Sequence, residues 1–225
     1  MARSESQRLF TLNFHGLGEP GRDLPPGEAD CWIDAKFFAD ILDAVAGRPD
    51  VRITFDDSNE SDYTIALPLL KARGLKAKFF LVAQRIDEKF YLSKQQIQAL
   101  LAAGMEVGNH GMQHRRWRGL DERGLREELV ESREILQQAT GAALKAAACP
   151  FGEYDRRVLG MLRESGYETV YTSDGGPAWS NQWVQPRNTV RRSHDLDAVS
   201  RACRQIPAGA GGLARDFKLL LKRWR

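Results

Sequence analysis

The chain has 225 residues, of which 42% are hydrophobic and 28% are charged, and its formal net charge is +3. This length and composition are enough to bury one substantial core in a single domain. The small net charge and the lack of a recognisable nucleic-acid motif exclude general nucleic-acid binding. Nothing approaches the run of about 18 apolar residues that a membrane-spanning helix requires.

Short apolar runs alternate with helical patterns along most of the chain. The runs predict strands at residues 9–14, 51–55, 77–82, 105–108, 144–148 and 169–172. Apolar residues at helical spacing, several of them after Asp or Ser caps, predict helices at 34–45, 65–73, 93–103, 121–138 and 155–165. This alternation indicates parallel strands with crossover helices, which an open doubly wound sheet and a closed barrel share.

The three cysteines, Cys31, Cys149 and Cys203, form no CxxC pair, and residues 1–8 are polar and lack an apolar signal region. An odd cysteine count without paired spacing is typical of a reducing compartment. We therefore predict a cytoplasmic location.

Two polar motifs supply the residues of a metal-dependent hydrolase. Ile53-Thr54-Phe55-Asp56-Asp57 provides two carboxylates, and His110-Gly111-Met112-Gln113-His114 provides two imidazoles. A catalytic zinc site uses three such ligands and keeps one position for water. Because side chains alternate along a strand, the adjacent aspartates should point in different directions and have separate roles. Alone, an Asp pair after a strand is more often a turn or cap signal.

In order and spacing, these motifs resemble those of the polysaccharide deacetylase (NodB-like) family, Thr-Phe-Asp-Asp-Gly and His-x-x-x-His. Residues 67–70, 74–81 and 106–109 are similar to the connecting segments of family members, and the resemblance covers roughly residues 8–205. It implies a distorted (β/α) barrel with about seven parallel strands, whose catalytic loops lie at the carboxyl ends of the strands. We predict a catalytic domain over residues 1–206 and a tail over residues 207–225.

The resemblance also implies a chemistry, the removal of N-acetyl groups from amino sugars of a glycan or glycolipid precursor. By this analogy Asp56 is the general base, a metal-bound water is the nucleophile, and Asp57, His110 and His114 are the ligands of one divalent ion. The ligand types favour Zn²⁺, although Co²⁺, Ni²⁺, Mn²⁺ and Fe²⁺ accept similar ligands.

The third motif departs from the family pattern. Ala148-Cys149-Pro150-Phe151-Gly152 is similar to Arg-x-Pro-Tyr-Gly, with alanine where an arginine usually orients the base. The resemblance implies that the Phe151 backbone N–H stabilises the oxyanion, which makes Phe151 a candidate substrate contact. Arg187, from a later loop and with Asp174 in its vicinity, is a candidate replacement for the missing guanidinium, and a surface arginine is the alternative.

The general acid has three open assignments: His15, His194 or neither. The family's last motif is a strand that ends in His-Asp, but His194-Asp195 follows Arg191-Arg192-Ser193 rather than an apolar strand. Ser193 or Asp195 is also a plausible helix cap. His15 ends the first predicted strand and opens on the same rim, so it is a candidate substrate contact or substitute acid, or else a structural histidine.

Three further patterns bear on the substrate. Trp117 and Trp179 are candidates for stacking on sugar rings, and Arg115, Arg116 and Arg118 are candidates for binding a phosphate. Residues 213–225 have an amphipathic, basic pattern that suits either weak docking on the inner membrane face or packing as a last helix.

Two alternatives remain beside N-deacetylation. One is a deformylase or another deacylase of a lipid-linked amino sugar. The other is a glycan-binding protein that holds metal but has little catalytic activity, which the missing arginine at position 148 suggests.

Overall fold

A computed structural model describes residues 6–204 of the chain. The predicted tail at 207–225, with the amphipathic pattern at 213–225, lies outside the described residues, so both the domain division and the membrane contact stay predictions. Over residues 6–204, no helix has the length and apolar character needed to cross a membrane.

A single sheet of nine strands forms the centre of the molecule. Strands β1 to β6 lie side by side in chain order and are parallel. Strand β8 is parallel to β6, β9 is parallel to β1, and the short β7 is antiparallel to β1. The strands are β1 Arg8–Phe14, β2 Val51–Phe55, β3 Lys78–Leu81, β4 Glu106–Asn109, β5 Ala146–Ala148, β6 Thr169–Thr172, β7 Ala178–Trp179, β8 Val184–Pro186 and β9 Asn188–Thr189.

The sheet nearly closes into a barrel through one short segment. Only Arg187 separates β8 from β9, so the same stretch of chain pairs first with β6 and then with β1. If β8 and β9 are counted as one bent strand, seven parallel strands surround the interior. The prediction of a distorted (β/α) barrel is thus confirmed, and the carboxyl ends of its strands converge on one rim.

Seven helices accompany the strands in the described range, and most begin where the caps predicted. The side chains of Asp34, Ser93, Asp121 and Asp155 accept hydrogen bonds from backbone N–H groups of the first turns of α1, α3, α4 and α6. The helices are α1 Ala35–Val45, α2 Leu67–Ala72, α3 Lys94–Ala102, α4 Glu122–Arg126, α5 Ser132–Thr140, α6 Arg156–Glu164 and α7 Leu196–Arg204.

Two predicted helices differ in detail from the structure. A π-helical turn, Asp62–Ala66, precedes α2, and a second one, Glu127–Glu131, separates α4 from α5. Such turns are frequent at functional sites. Strands β7 to β9 were not predicted, because each has only two or three residues and β8 contains Pro186, which cannot donate to a ladder.

The apolar core lies between the sheet and its helices. Phe14, Phe38, Phe55 and Phe79 form a chain of ring contacts with centroids 4.8 to 5.7 Å apart. Side chains alternate along a strand, and the Phe55 side chain points outward into this core. Its neighbours Thr54 and Asp56 therefore face the barrel interior. That interior is polar near the rim, where the buried Asn13, Thr54 and Arg187 lie.

Candidate metal centre

The turn after β2 directs Asp56 and Asp57 to different places. Asp56 stays in the barrel interior, whereas Asp57 and Ser58 adopt left-handed backbone conformations with φ of 80° and 61°. Such values cost about 1–3 kcal/mol each for residues other than glycine. The Ser58 hydroxyl accepts a hydrogen bond from the Val82 N–H at 2.9 Å, and its carbonyl accepts one from Leu92 at 2.9 Å. These bonds hold the turn although serine replaces the motif glycine.

Asp57, His110 and His114 come together at the rim, with one candidate ligand atom from each within 4.8 Å of the others. The Asp57 Oδ1 atom lies 3.0 Å from His114 Nε2 and 3.7 Å from His110 Nε2. It is buried and also lies 3.3 Å from an Arg85 nitrogen, yet it accepts no hydrogen bond from the described residues. A buried carboxylate oxygen without a hydrogen bond, between two imidazole nitrogens, fits a divalent cation.

Both histidines are prepared for metal binding by their surroundings. The His110 Nδ1 atom lies 2.8 Å from the Ala148 carbonyl, so Nδ1 carries the proton and Nε2 is left as the ligand atom. Burial lowers the pKa of His110 to about 4 and also lowers the pKa of His114. Both rings are therefore neutral near pH 7, which is the form that binds a metal.

Glu128, in the second π-helical turn, holds the loop between the two histidines. Its carboxylate is fully buried and accepts hydrogen bonds from the backbone of Met112 and Gln113 and from the side chains of Arg115 and Trp117. Glu128 was not among the residues predicted from the sequence. The available signal was one glutamate beside Leu125 and Leu129 on the apolar face of a predicted helix.

The predicted role of the two tryptophans in sugar stacking is wrong. Trp117 is fully buried in the core and binds Glu128, so it has no surface for a sugar. Trp179 pairs with Arg8 at the start of β1, which is the opposite end of the barrel from the metal centre.

Asp56 forms a buried, bidentate ion pair with Arg187. The two guanidinium nitrogens lie 2.7 and 2.8 Å from its two oxygens, and Asn13 donates a further hydrogen bond at 3.0 Å. Burial alone would raise the pKa of Asp56, but Arg187 and the nearby His110 outweigh it and hold the pKa well below its usual range. Asp56 is therefore ionised at neutral pH.

Arg187 enters the barrel beside Ala148, where the family motif has its arginine. Its guanidinium lies 5.1 Å from the ring centroid of Phe80 and 5.9 Å from that of Tyr171. The same two rings pack around Ala148. A small residue on β5 thus leaves space for a guanidinium that comes from the β8–β9 segment. Asp174, which was predicted to lie near Arg187, accepts hydrogen bonds from Tyr154 and Thr172.

A cavity of about 460 Å³ opens above these residues and is lined by His15 and Phe151 among others. The His15 Nε2 atom lies 4.0 Å from Asp56 Oδ2, and its Nδ1 atom is buried without a hydrogen-bond partner among the described residues. His194 does not line the cavity. Its Nδ1 accepts a hydrogen bond from the Arg191 N–H, and Asp195 accepts one from the Ala198 N–H in α7.

Phe151 has a strained backbone at the edge of the cavity. Its φ is 57°, and its ring is 53% exposed and lies 4.6 Å from the His114 ring centroid. Within residues 6–204 its backbone N–H has no hydrogen-bond acceptor. An N–H in this state is free to bind a substrate oxygen.

A family model described as polysaccharide deacetylase matches residues 44–170, which is more than half of the chain. The chain therefore belongs to the polysaccharide deacetylase family, a family of hydrolases, as the motifs predicted.

Individual relatives agree with this assignment. A peptidoglycan-N-acetylglucosamine deacetylase of Bacillus cereus is 29% identical over 154 residues, which cover 66% of this chain and 70% of that protein. The Bacillus subtilis protein YxkH, a candidate polysaccharide deacetylase, is 27% identical over 143 residues, or 64% of this chain. The match spans only 51% of YxkH.

The fold is similar to that of solved deacetylases. The structure of the Streptococcus pyogenes deacetylase PplD in complex with acetate superposes with a TM-score of 0.77. The match covers 88% of this chain and 99% of PplD, at 19% sequence identity.

The ion pair between Arg187 and Asp56 can be tested by a double-mutant cycle. R187A leaves a buried, unpaired carboxylate, and we expect it to lower the free energy of unfolding by about 3–5 kcal/mol. D56N/R187A removes both charges and should recover much of this loss in chemical denaturation. R192A, at an exposed neighbour, should match the wild type. Equal losses in R187A and the double variant would contradict the pairing.

An arginine supplied from position 148, in A148R/R187A, should also recover stability.

The role of Glu128 predicts a specific loss of metal affinity. E128Q removes the carboxylate charge that holds the loop between His110 and His114. Loss of such a supporting contact typically weakens metal binding by about 10- to 100-fold. Zinc titration of the purified variant, with its fold checked by circular dichroism, measures the effect. E131Q, at an exposed position of the same π-helical turn, is the matched control. An unchanged zinc affinity in folded E128Q would show that Glu128 does not position the ligands.

Proposed function

We propose that this protein is a metal-dependent N-deacetylase of amino sugars in a glycan or glycolipid precursor. The observation that carries the proposal is the Asp57, His110 and His114 cluster beside a separately ionised carboxylate, Asp56. Zinc suits this set of ligands. When bound, the ion supplies Lewis-acid activation of the acyl carbonyl and a lower pKa for water.

Asp56 has the position of a general base. Its Oδ2 atom lies 3.8 Å from His110 Nε2, so the carboxylate faces the ligand cluster without belonging to it. Arg187 keeps it ionised and fixes its plane through two hydrogen bonds. A carboxylate with a depressed pKa is a weak base, and it takes a proton efficiently only from a water that is itself acidic.

Two other residues complete the proposed site. The Phe151 N–H would donate to the oxygen on which negative charge develops during attack on the acyl group. His15, 4.0 Å from Asp56, is the histidine in the cavity that could deliver a proton to the leaving amine. This placement favours His15 over His194 as the general acid.

The substrate proposal rests on the relatives. The names of similar proteins specify peptidoglycan N-acetylglucosamine and chitooligosaccharide as substrates. Removal of a formyl group from a lipid-linked amino sugar would use the same chemistry, so the acid that is released separates the two reactions. The buried Arg187 counts against a mere glycan-binding protein, since a binder has no need of an oriented, unliganded carboxylate beside the metal.

The roles of Asp56 and of His110 predict different losses in the variants D56N and H110A. We expect D56N to bind zinc with the wild-type stoichiometry and to lose about 10² or more in the rate of acyl release, because the base is absent. H110A should lose zinc itself. Acetate and formate release from N-acylated oligosaccharides and glycolipids, together with zinc analysis, measures both effects. Stoichiometric zinc without any turnover by the wild type would instead support the glycan-binding alternative.

A further inference from the structure

Arg191 lines the same cavity as His15. The chain leaves β9 at Thr189, and the register between β1 and β9 pairs Asn13 with Thr189. His15 follows β1 by one residue and Arg191 follows β9 by two residues, and both line the cavity. The segment that supplies Arg187 to the barrel interior therefore also supplies a second arginine to the entrance.

The other charged side chains of the cavity have partners in the protein. The Arg187 guanidinium neutralises Asp56, and Arg85 lies 3.3 Å from Asp57. Two more cavity residues form ion pairs with residues outside it, namely Glu28 with Arg22 and Arg116 with Glu153. The charges that line the cavity are therefore mostly compensated before any metal or substrate binds.

Arg191 is the exception. Its guanidinium contacts the Cys31 sulfur at 3.6 Å, and no carboxylate of the described residues lies within ion-pair distance of it. Burial raises the pKa of the Cys31 thiol, so the thiol stays neutral and supplies no countercharge. An exposed cation without a countercharge remains at the mouth of the site.

Two of the three arginines predicted to bind phosphate form ion pairs within the protein. Arg115 forms ion pairs with Glu127 and Glu128, and Arg116 pairs with Glu153 and lies over the Phe151 ring. Arg118 does not line the cavity. Among the arginines that line the cavity, Arg191 is thus the one without a carboxylate partner in the described residues. Phosphate binding by Arg115, Arg116 and Arg118 stays a prediction.

We propose that Arg191 determines specificity by binding an anionic substituent, a carboxylate or a phosphate, on the amino sugar whose acyl group is removed. A guanidinium offers two parallel donors that match either anion. This inference rests on the proposed function, since it places the reacting acyl group at the metal centre and the anion at the cavity mouth.

The first test compares three simple probes: N-acetylglucosamine, its 6-phosphate and its 3-O-lactyl ether, which carries a carboxylate. For the wild type, kcat/KM should be higher for one or both anionic probes than for the neutral one. In R191A this preference should fall by about tenfold or more, because a charge-assisted hydrogen bond is lost. R191K should keep part of the preference, and R192A, which does not line the cavity, should keep all of it.

A second readout does not need turnover. Cys31 lies beside Arg191 on the cavity wall, whereas Cys149 and Cys203 are buried, so N-ethylmaleimide should modify Cys31 first. Bound anionic sugar or inorganic phosphate should slow this modification in the wild type but not in R191A. C31S serves as the control for labelling at the other thiols.

The outcomes separate this inference from the proposed function. Turnover with the same anionic-to-neutral ratio in the wild type and R191A would overturn the role of Arg191 and leave the deacetylase proposal intact. An absence of turnover would overturn the deacetylase proposal and, with it, the specificity role. Protection of Cys31 by anionic sugar in the wild type but not in R191A would then leave only anion binding by Arg191 standing. Protection of Cys31 that is equal in R191A and the wild type would also overturn the inference.

Discussion

The ion pair between Asp56 and Arg187 is the interaction on which the site depends. It joins the first half of the barrel to the segment that closes it, because Asp56 follows β2 and Arg187 lies between β8 and β9. It also assigns different chemistry to two adjacent aspartates. Asp56 is saturated by a guanidinium and stays out of the ligand cluster, whereas Asp57 keeps a buried oxygen that accepts no hydrogen bond from the described residues.

The closing segment also shows how a family site tolerates a lost residue. Position 148 is alanine, so β5 carries no guanidinium there. The Ala148 carbonyl still accepts a hydrogen bond from His110 Nδ1–H, and its small side chain leaves space near Phe80 and Tyr171. Arg187 places a guanidinium against the same rings from another strand. The electrostatic requirement, a buried cation on Asp56, is therefore met from a different position in the sequence.

Local patterns predicted much of this protein, and long-range contacts account for the rest. The caps at Asp34, Ser93 and Asp155 and the six longer strands follow from short windows of sequence. By contrast, the two-residue β9 pairs with a strand more than 170 residues away in the sequence. Glu128 is one polar residue on an apolar helix face, and its role is visible only from the loop that it binds. The spacing of Asp57, His110 and His114 does not by itself predict that they lie together. That prediction came from the family resemblance.

Anomalous X-ray diffraction at the zinc edge, from crystals of the zinc-loaded protein, tests the separate roles of the two aspartates directly. We expect one strong anomalous peak at an ion bound by Asp57, His110 and His114, with Arg187 still paired with Asp56 and with no bond from Asp56 to the ion. A peak bonded to both carboxylates, with Arg187 displaced, would contradict the separate roles of the two aspartates. A peak remote from all three ligands would contradict the metal centre itself.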